Sequence, residues 1–174
     1  MKPRVLVVHY SRTGRTRLVG EEIARALHAD SEEIRDTVAR DGALGFLRSA
    51  CEALFGVSCE IRVPVLDPST YDVVVIGTPV WGASVSTPVR TWLWLERAKL
   101  PRVAFYVTHG GTGSGRAIAQ LRALAGKAPT ATLVVREREL AAGAHHARVA
   151  RFAKTIASHA ALHRPARRRM RAAS

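Results

Sequence analysis

The sequence predicts an α/β protein in three layers, a doubly wound parallel sheet of five strands with helices on both faces. Three observations predict it. The runs "VLVV", "VVVI" and "VAFYV" are continuous and apolar, as in strands buried on both faces; a half-solvated strand would alternate with polar residues. Between them lie stretches whose apolar residues recur at helical spacing. Strand and helix patterns alternate five times along the chain, the order that right-handed crossovers turn into a covered parallel sheet.

The elements follow in order. Val5–Val8 is the first buried strand, and Gly14 to Leu27 carries Leu18, Val19, Ile23, Ala26 and Leu27 on one helical stripe. Glu32–Arg35 reads as a weaker second strand. Gly42–Phe55 places Leu44, Leu47, Ala50, Cys51, Leu54 and Phe55 at amphipathic spacing, with Gly56 as a stop. Residues 57–71 are irregular, broken by Pro64 and Pro68. Val73–Ile76 is the next strand. Thr87–Leu95 follows as a helix, with Pro88 in its first turn, where a missing N–H is harmless. Val103–Val107, a helix over Ser114–Leu124, a strand over Ala131–Val135 and a closing helix over His146–Ala161 complete the series. One domain over residues 1–162 is expected. Residues 163–174, with five arginines between Arg164 and Arg171, read as a disordered basic tail.

Composition narrows the function classes. The 174 residues suffice for one domain with a sizeable core. A formal charge of +13 bears on solubility and on anionic partners such as nucleic acid, a membrane surface or an acidic protein, and equally on a merely basic surface. Two cysteines, Cys51 and Cys59, are too few for a disulfide framework and lack CxxC spacing, so free thiols are expected. The apolar start ends at Tyr10, too soon for a signal sequence, and no run approaches the ~20 residues of a membrane span, so a cytoplasmic location is expected. His145-His146 and the other histidines show no ligand spacing with Cys, Asp or Glu, and no metal site is expected. No Ser-His-Asp or Cys-His arrangement is legible.

In open α/β sheets, ligands bind beyond the carboxyl ends of the strands. Here three strong strands end in polar, glycine-rich loops: "HYSRTGRT", "GTPVWGAS" and "THGGTGSG". In the first, Ser11, Thr13 and Thr16 offer hydroxyls, Gly14 allows a left-handed backbone, and the loop opens into a helix whose free N–H groups favour an anion such as a phosphate. Simple N-capping by Ser or Thr is the other reading. The Walker A pattern is absent, and Arg116 stands where a dinucleotide fingerprint needs its last glycine. In the second loop, Trp81 between Val80 and Gly82 offers a platform for an aromatic ligand, or packs beneath its own loop. Trp92 and Trp94 sit among apolar helix neighbours and read as core or interface. The third loop lets backbone approach a planar ligand; His109 within it is a donor at the ligand's edge, a proton source, or a partly exposed loop histidine.

Together the loops resemble the flavodoxin-like FMN-binding family, of short-chain flavodoxin type, over about Arg4 to Leu162. "SRTGRT" is similar to that family's phosphate loop S-x-T-G-x-T; "TPVWG" and "VTHGGTGSG" resemble its two flavin loops. The resemblance implies the strand order 2-1-3-4-5, with FMN at the switch between the first and third strands. It implies that Ser11, Thr13, Gly14 and Thr16 hold the phosphate, with Arg12 and Arg15 adding main-chain amides and charge. Thr78, Pro79, Val80, Trp81 and Gly82 would face the flavin, and Thr108, His109, Gly110, Gly111 and Gly113 its other edge. The implied function is electron transfer, or an NAD(P)H-dependent reduction such as that of quinones, with a redox partner protein or NAD(P)H and a small acceptor. No catalytic acid or nucleophile is assigned. The chain departs from the family in being basic where electron-carrying flavodoxins are acidic, and in the added helix over Gly42–Phe55. The alternative is a flavin-free binding module that uses the basic surface on nucleic acid or anionic lipid.

Overall fold

The computed structural model describes residues 3–36 and 61–162. The helix expected over Gly42–Phe55, both cysteines and the basic tail lie outside the described residues. Strands β1 (Val5–His9), β2 (Asp30–Glu33), β3 (Val73–Trp81), β4 (Ser84–Val85), β5 (Arg102–His109) and β6 (Pro129–Arg136) alternate with helices α1 (Arg15–Leu27), α2 (Thr87–Glu96), α3 (Ser114–Ala125), α4 (Glu137–Ala141) and α5 (His146–Leu162). Short 3-10 turns cover Pro68–Thr70 and Arg97–Lys99. Five strands run parallel in the order β2-β1-β3-β5-β6. This is the expected 2-1-3-4-5 once the two-residue β4 is numbered separately.

The continuous apolar runs are explained by what lies on each face. Val5, Val7, Val73 and Val75 point into one core with Val19 and Ile23 of α1 and Phe152 and Ile156 of α5. Their neighbours Leu6, Val8, Val74 and Ile76 point into the other, with Val89, Trp92 and Leu93 of α2 and Leu121 of α3. Successive residues alternate faces, and both faces are covered, so no polar residue is tolerated in either register. Each fully buried Val, Leu or Ile contributes about 1.5–3 kcal/mol, and this burial holds the three layers together.

Edges and turns differ from expectation where short elements decide. The second strand sits at Asp30–Glu33 rather than Glu32–Arg35, an acidic edge strand half open to solvent. The third strand runs beyond Ile76 to Trp81 and folds back through Gly82 and Ala83, both at positive φ, so that Trp81 pairs with Ser84. Such a turn needs residues that tolerate the left-handed region. The chain also inserts α4 directly after β6, its first turn carrying Glu137 and Glu139.

One close approach fixes the spacing between α1 and the sheet. Tyr106 of β5 is fully buried beneath Gly20 of α1 and beside Gly77 of β3, and a Cβ at either glycine would overlap its side chain. Its hydroxyl donates to the Thr16 carbonyl at 3.1 Å. Burial pushes the Tyr106 phenol well above its ordinary value, with the carboxylates of Glu33 and Glu21 adding to the effect. Among the described residues no helix is long and apolar enough to cross a membrane.

Candidate functional site

Strands β1, β3 and β5 are adjacent, and the three loops beyond their carboxyl ends converge on one pocket. β1 lies between β2 and β3, so crossovers leave it in opposite directions and open a crevice there. A cavity of about 270 Å³ at this point is lined by Arg12, Thr13, Arg15, Thr16, Pro79, Val80, Trp81, Thr108, His109, Gly110 and Glu137. A larger cavity, about 460 Å³, opens beside β2 between Glu32 and Trp92. It gathers none of the three loops, and the converging polar groups place the candidate site in the smaller one.

The first loop leaves donors free. Gly14 stands at the N-cap of α1 with φ 83°, and no side chain among the described residues caps the helix. Serine or threonine capping therefore does not account for the loop. The first turn, with its unpaired N–H groups and the positive end of the helix dipole, begins at Arg15 and Thr16, which line the pocket. Ser11 Oγ is buried with no hydrogen-bond partner among the described residues, a donor in need of an acceptor. Thr16, buried at 2% exposure, shares a 2.7 Å hydrogen bond with the Thr108 hydroxyl of β5. This joins the first loop to the third. A single proton serves that bond, so one hydroxyl of the pair keeps a proton to donate elsewhere.

The second loop supplies an aromatic wall. Trp81 is 9% exposed and meets Tyr10 edge-on, with centroids 5.6 Å apart and planes at 88°. The Arg12 guanidinium lies 6.0 Å from the Trp81 centroid, within cation–π range. Trp81 packs beneath its loop while one surface lines the cavity. Thr78 does not line it. Its side chain turns inward, where its hydroxyl meets the Pro79 carbonyl at 2.8 Å and Ser86 Oγ at 2.9 Å and accepts from the Ser86 amide at 3.1 Å.

From the third loop, Thr108, His109 and Gly110 line the pocket, whereas Gly111 borders open space. His109 is not an exposed loop residue: it closes β5 at 5% exposure, and neither ring nitrogen has a partner among the described residues. Gly113 serves a structural need, capping α3 at φ 95° where a Cβ would strike Ala83. Gly82 likewise makes the turn between β3 and β4.

One lining residue had no sequence signal. Glu137, opening α4 after β6, forms an ion pair with Arg15 at 2.8 Å across the pocket mouth. Its carboxylate would also crowd any side chain at Gly110. Arg17 lies 3.8 Å from Glu21, so two of the three arginines around the first loop face carboxylates. Behind the loop, His9 is buried, and burial, followed by the charge of Arg17, lowers its pKa to about 4. It is therefore a neutral core imidazole.

A loop with an unpartnered serine hydroxyl, an aromatic wall and a backbone edge meet at a parallel sheet's switch point, where flavodoxin-like sheets bind their ligands. The family comparison agrees: the model of the family described as Flavodoxin matches residues 4–138, and the chain belongs to that family. Three solved structures share the fold. A Lactobacillus acidophilus flavoprotein in complex with FMN is 23% identical over 80% of this chain and 97% of its own, at a TM-score of 0.66. A Bacteroides uniformis chain assigned as a flavoprotein is 19% identical over 88% and 99%, with a TM-score of 0.72. Two-electron-reduced Megasphaera elsdenii flavodoxin is 17% identical over 88% and 99%, with a TM-score of 0.55. No curated protein matches the sequence.

Proposed function

We propose that this chain binds FMN in the pocket between the three loops and works as a cytoplasmic flavoprotein in electron transfer or in NAD(P)H-dependent reduction of a small acceptor such as a quinone. The observation that carries the reading is the buried Ser11 hydroxyl without a partner, in a loop that leads into an uncapped helix N-terminus and whose Thr13 and Thr16 line the same cavity as Trp81. A phosphate would satisfy the first two features, and a flat heteroaromatic ring the third. A domain over residues 1–162 followed by a basic tail belongs to the same proposal.

The chain's own residues divide the work. Thr13 and Thr16 line the cavity, and with Ser11 and the first amides of α1 they would donate to a phosphate. Arg12 adds charge on the Trp81 side, and Arg15 reaches the pocket while held by Glu137. Trp81 offers its ring surface, and Val80 with Pro79 excludes water from the same wall. The backbone of Thr108–Gly110 can meet the polar edge of a ring, with His109 beside it. FMN, when bound, supplies one- and two-electron chemistry, so the protein's task is binding, access and electrostatics.

Reconstitution with excess FMN followed by desalting tests the reading. The full chain should retain flavin absorbance, and Trp81→Leu should weaken binding about fivefold or more through lost aromatic contact. A chain that emerges colourless refutes the proposal. Oxidation of NADH or NADPH with quinones as acceptors would then separate a reductase from a carrier.

A further inference from the structure

Away from the pocket, the fold assembles a constellation that no sequence spacing announces. Glu22 on α1 meets His145 and His146, which sit where the turn after α4 becomes α5. Glu22 Oε2 lies 3.1 Å from His145 Nε2, and Glu22 Oε1 lies 2.9 Å from His146 Nδ1. The two imidazole centroids are 4.1 Å apart, and the ligand atoms all fall within 4.8 Å of one another.

A second observation concerns the tautomer of His145, which is 6% exposed. Its Nδ1 is 3.3 Å from the Glu139 carbonyl, an acceptor that favours the tautomer with the proton on Nδ1. In the neutral ring Nε2 then bears a lone pair, and that lone pair faces a carboxylate oxygen at 3.1 Å. An imidazole lone pair and a carboxylate oxygen at this distance leave a place between them that a shared proton or a metal ion can fill. The carbonyl contact is also the outer-shell bond that orients metal-bound histidines.

We propose that Glu22, His145 and His146 form a site for a divalent transition-metal ion of the zinc class. Two imidazole nitrogens and one carboxylate oxygen make a three-ligand set of borderline character that suits this class over calcium or magnesium. His146 is 65% exposed, so the remaining coordination position opens to solvent. An ion here would tie α1 to the start of α5. The expectation of no metal site came from local spacing. It missed Glu22, which lies more than a hundred residues from the histidine pair.

The test is calorimetric titration of Zn²⁺ into the full, tag-free chain carrying Cys51→Ser and Cys59→Ser, so that thiolates do not compete. One equivalent should bind, and saturating Zn²⁺ should raise Tm, because the ion binds the folded state. His146→Ala, at an exposed position, should keep the circular-dichroism spectrum, weaken Zn²⁺ binding about tenfold or more and abolish the Tm rise. Glu22→Gln should weaken binding similarly. Absence of Zn²⁺ binding would leave that place to a proton and overturn the proposal. Equal affinity in both variants and their parent would overturn it as well.

Discussion

Thr16 and Thr108 share a buried 2.7 Å hydroxyl–hydroxyl bond that fastens the first turn of α1 to the end of β5. Two of the three pocket loops therefore move as one body. Thr16→Val leaves the Thr108 hydroxyl buried without a partner, at a cost of about 1–3 kcal/mol. Thermal unfolding should show that loss, and FMN affinity should fall with it, whereas Thr16→Ser should restore both. Wild-type stability in the valine variant would show the bond to be incidental.

The Arg15–Glu137 pair sets the charge at the pocket mouth. Both side chains are about half exposed, so the pair itself contributes below about 1 kcal/mol to stability. Its electrostatic effect on an anionic ligand is larger in proportion. Glu137→Gln removes a carboxylate and releases a guanidinium; unit charges a few ångströms apart interact by ~1 kcal/mol in water. FMN should then bind about fivefold tighter by fluorescence titration, and the midpoint potential of the bound flavin should shift upward, since a more positive site favours the reduced anion. Weaker binding in this variant would mean that Glu137 positions Arg15 more than it neutralises it.

His9 gives the fold an acid-sensitive point. Its folded pKa is about 4, below the ordinary 6.5, so between these values the unfolded chain takes up a proton that the folded chain refuses. Stability is therefore full above about pH 6.5 and declines as pH falls toward 4. At about 1.4 kcal/mol per pKa unit, the decline amounts to about 3 kcal/mol. His9→Leu should flatten urea-unfolding stability across this window. It should also cost little at neutral pH, because it removes two ring nitrogens that lack partners among the described residues. An unchanged slope in the leucine variant would assign the acid sensitivity to other groups.

How much of this was legible beforehand depends on the range of each signal. The central strands were readable because burial on both faces leaves an uninterrupted apolar run in Val5–Val8 and Val73–Ile76. The loops were readable because strand-to-helix junctions concentrate glycine and hydroxyl residues. The turn into β4 and the five-residue α4 were not, since such short elements carry no periodicity. Thr78 looked like a ligand contact, but residue type does not reveal which way a side chain turns at the end of a strand. Ser86, eight positions later, captures its hydroxyl. Glu137 and Glu22 acquire their roles from partners more than a hundred residues away, beyond the reach of any local pattern.

Tyr106 has a consequence for how the sequence can drift. Its ring fills the room that Gly20 and Gly77 leave, while its hydroxyl holds the Thr16 carbonyl of the first loop. Gly77→Ala alone should overpack this spot by about 1–3 kcal/mol, and Tyr106→Leu should relieve the crowding in the double variant. A double-mutant cycle with no coupling would contradict this. The rescued chain would still lack the tether to the first loop, so it should recover stability without recovering ligand affinity. A side chain at Gly20 or Gly77 therefore calls for a smaller residue at position 106, and the centre of the sheet is constrained from the binding side.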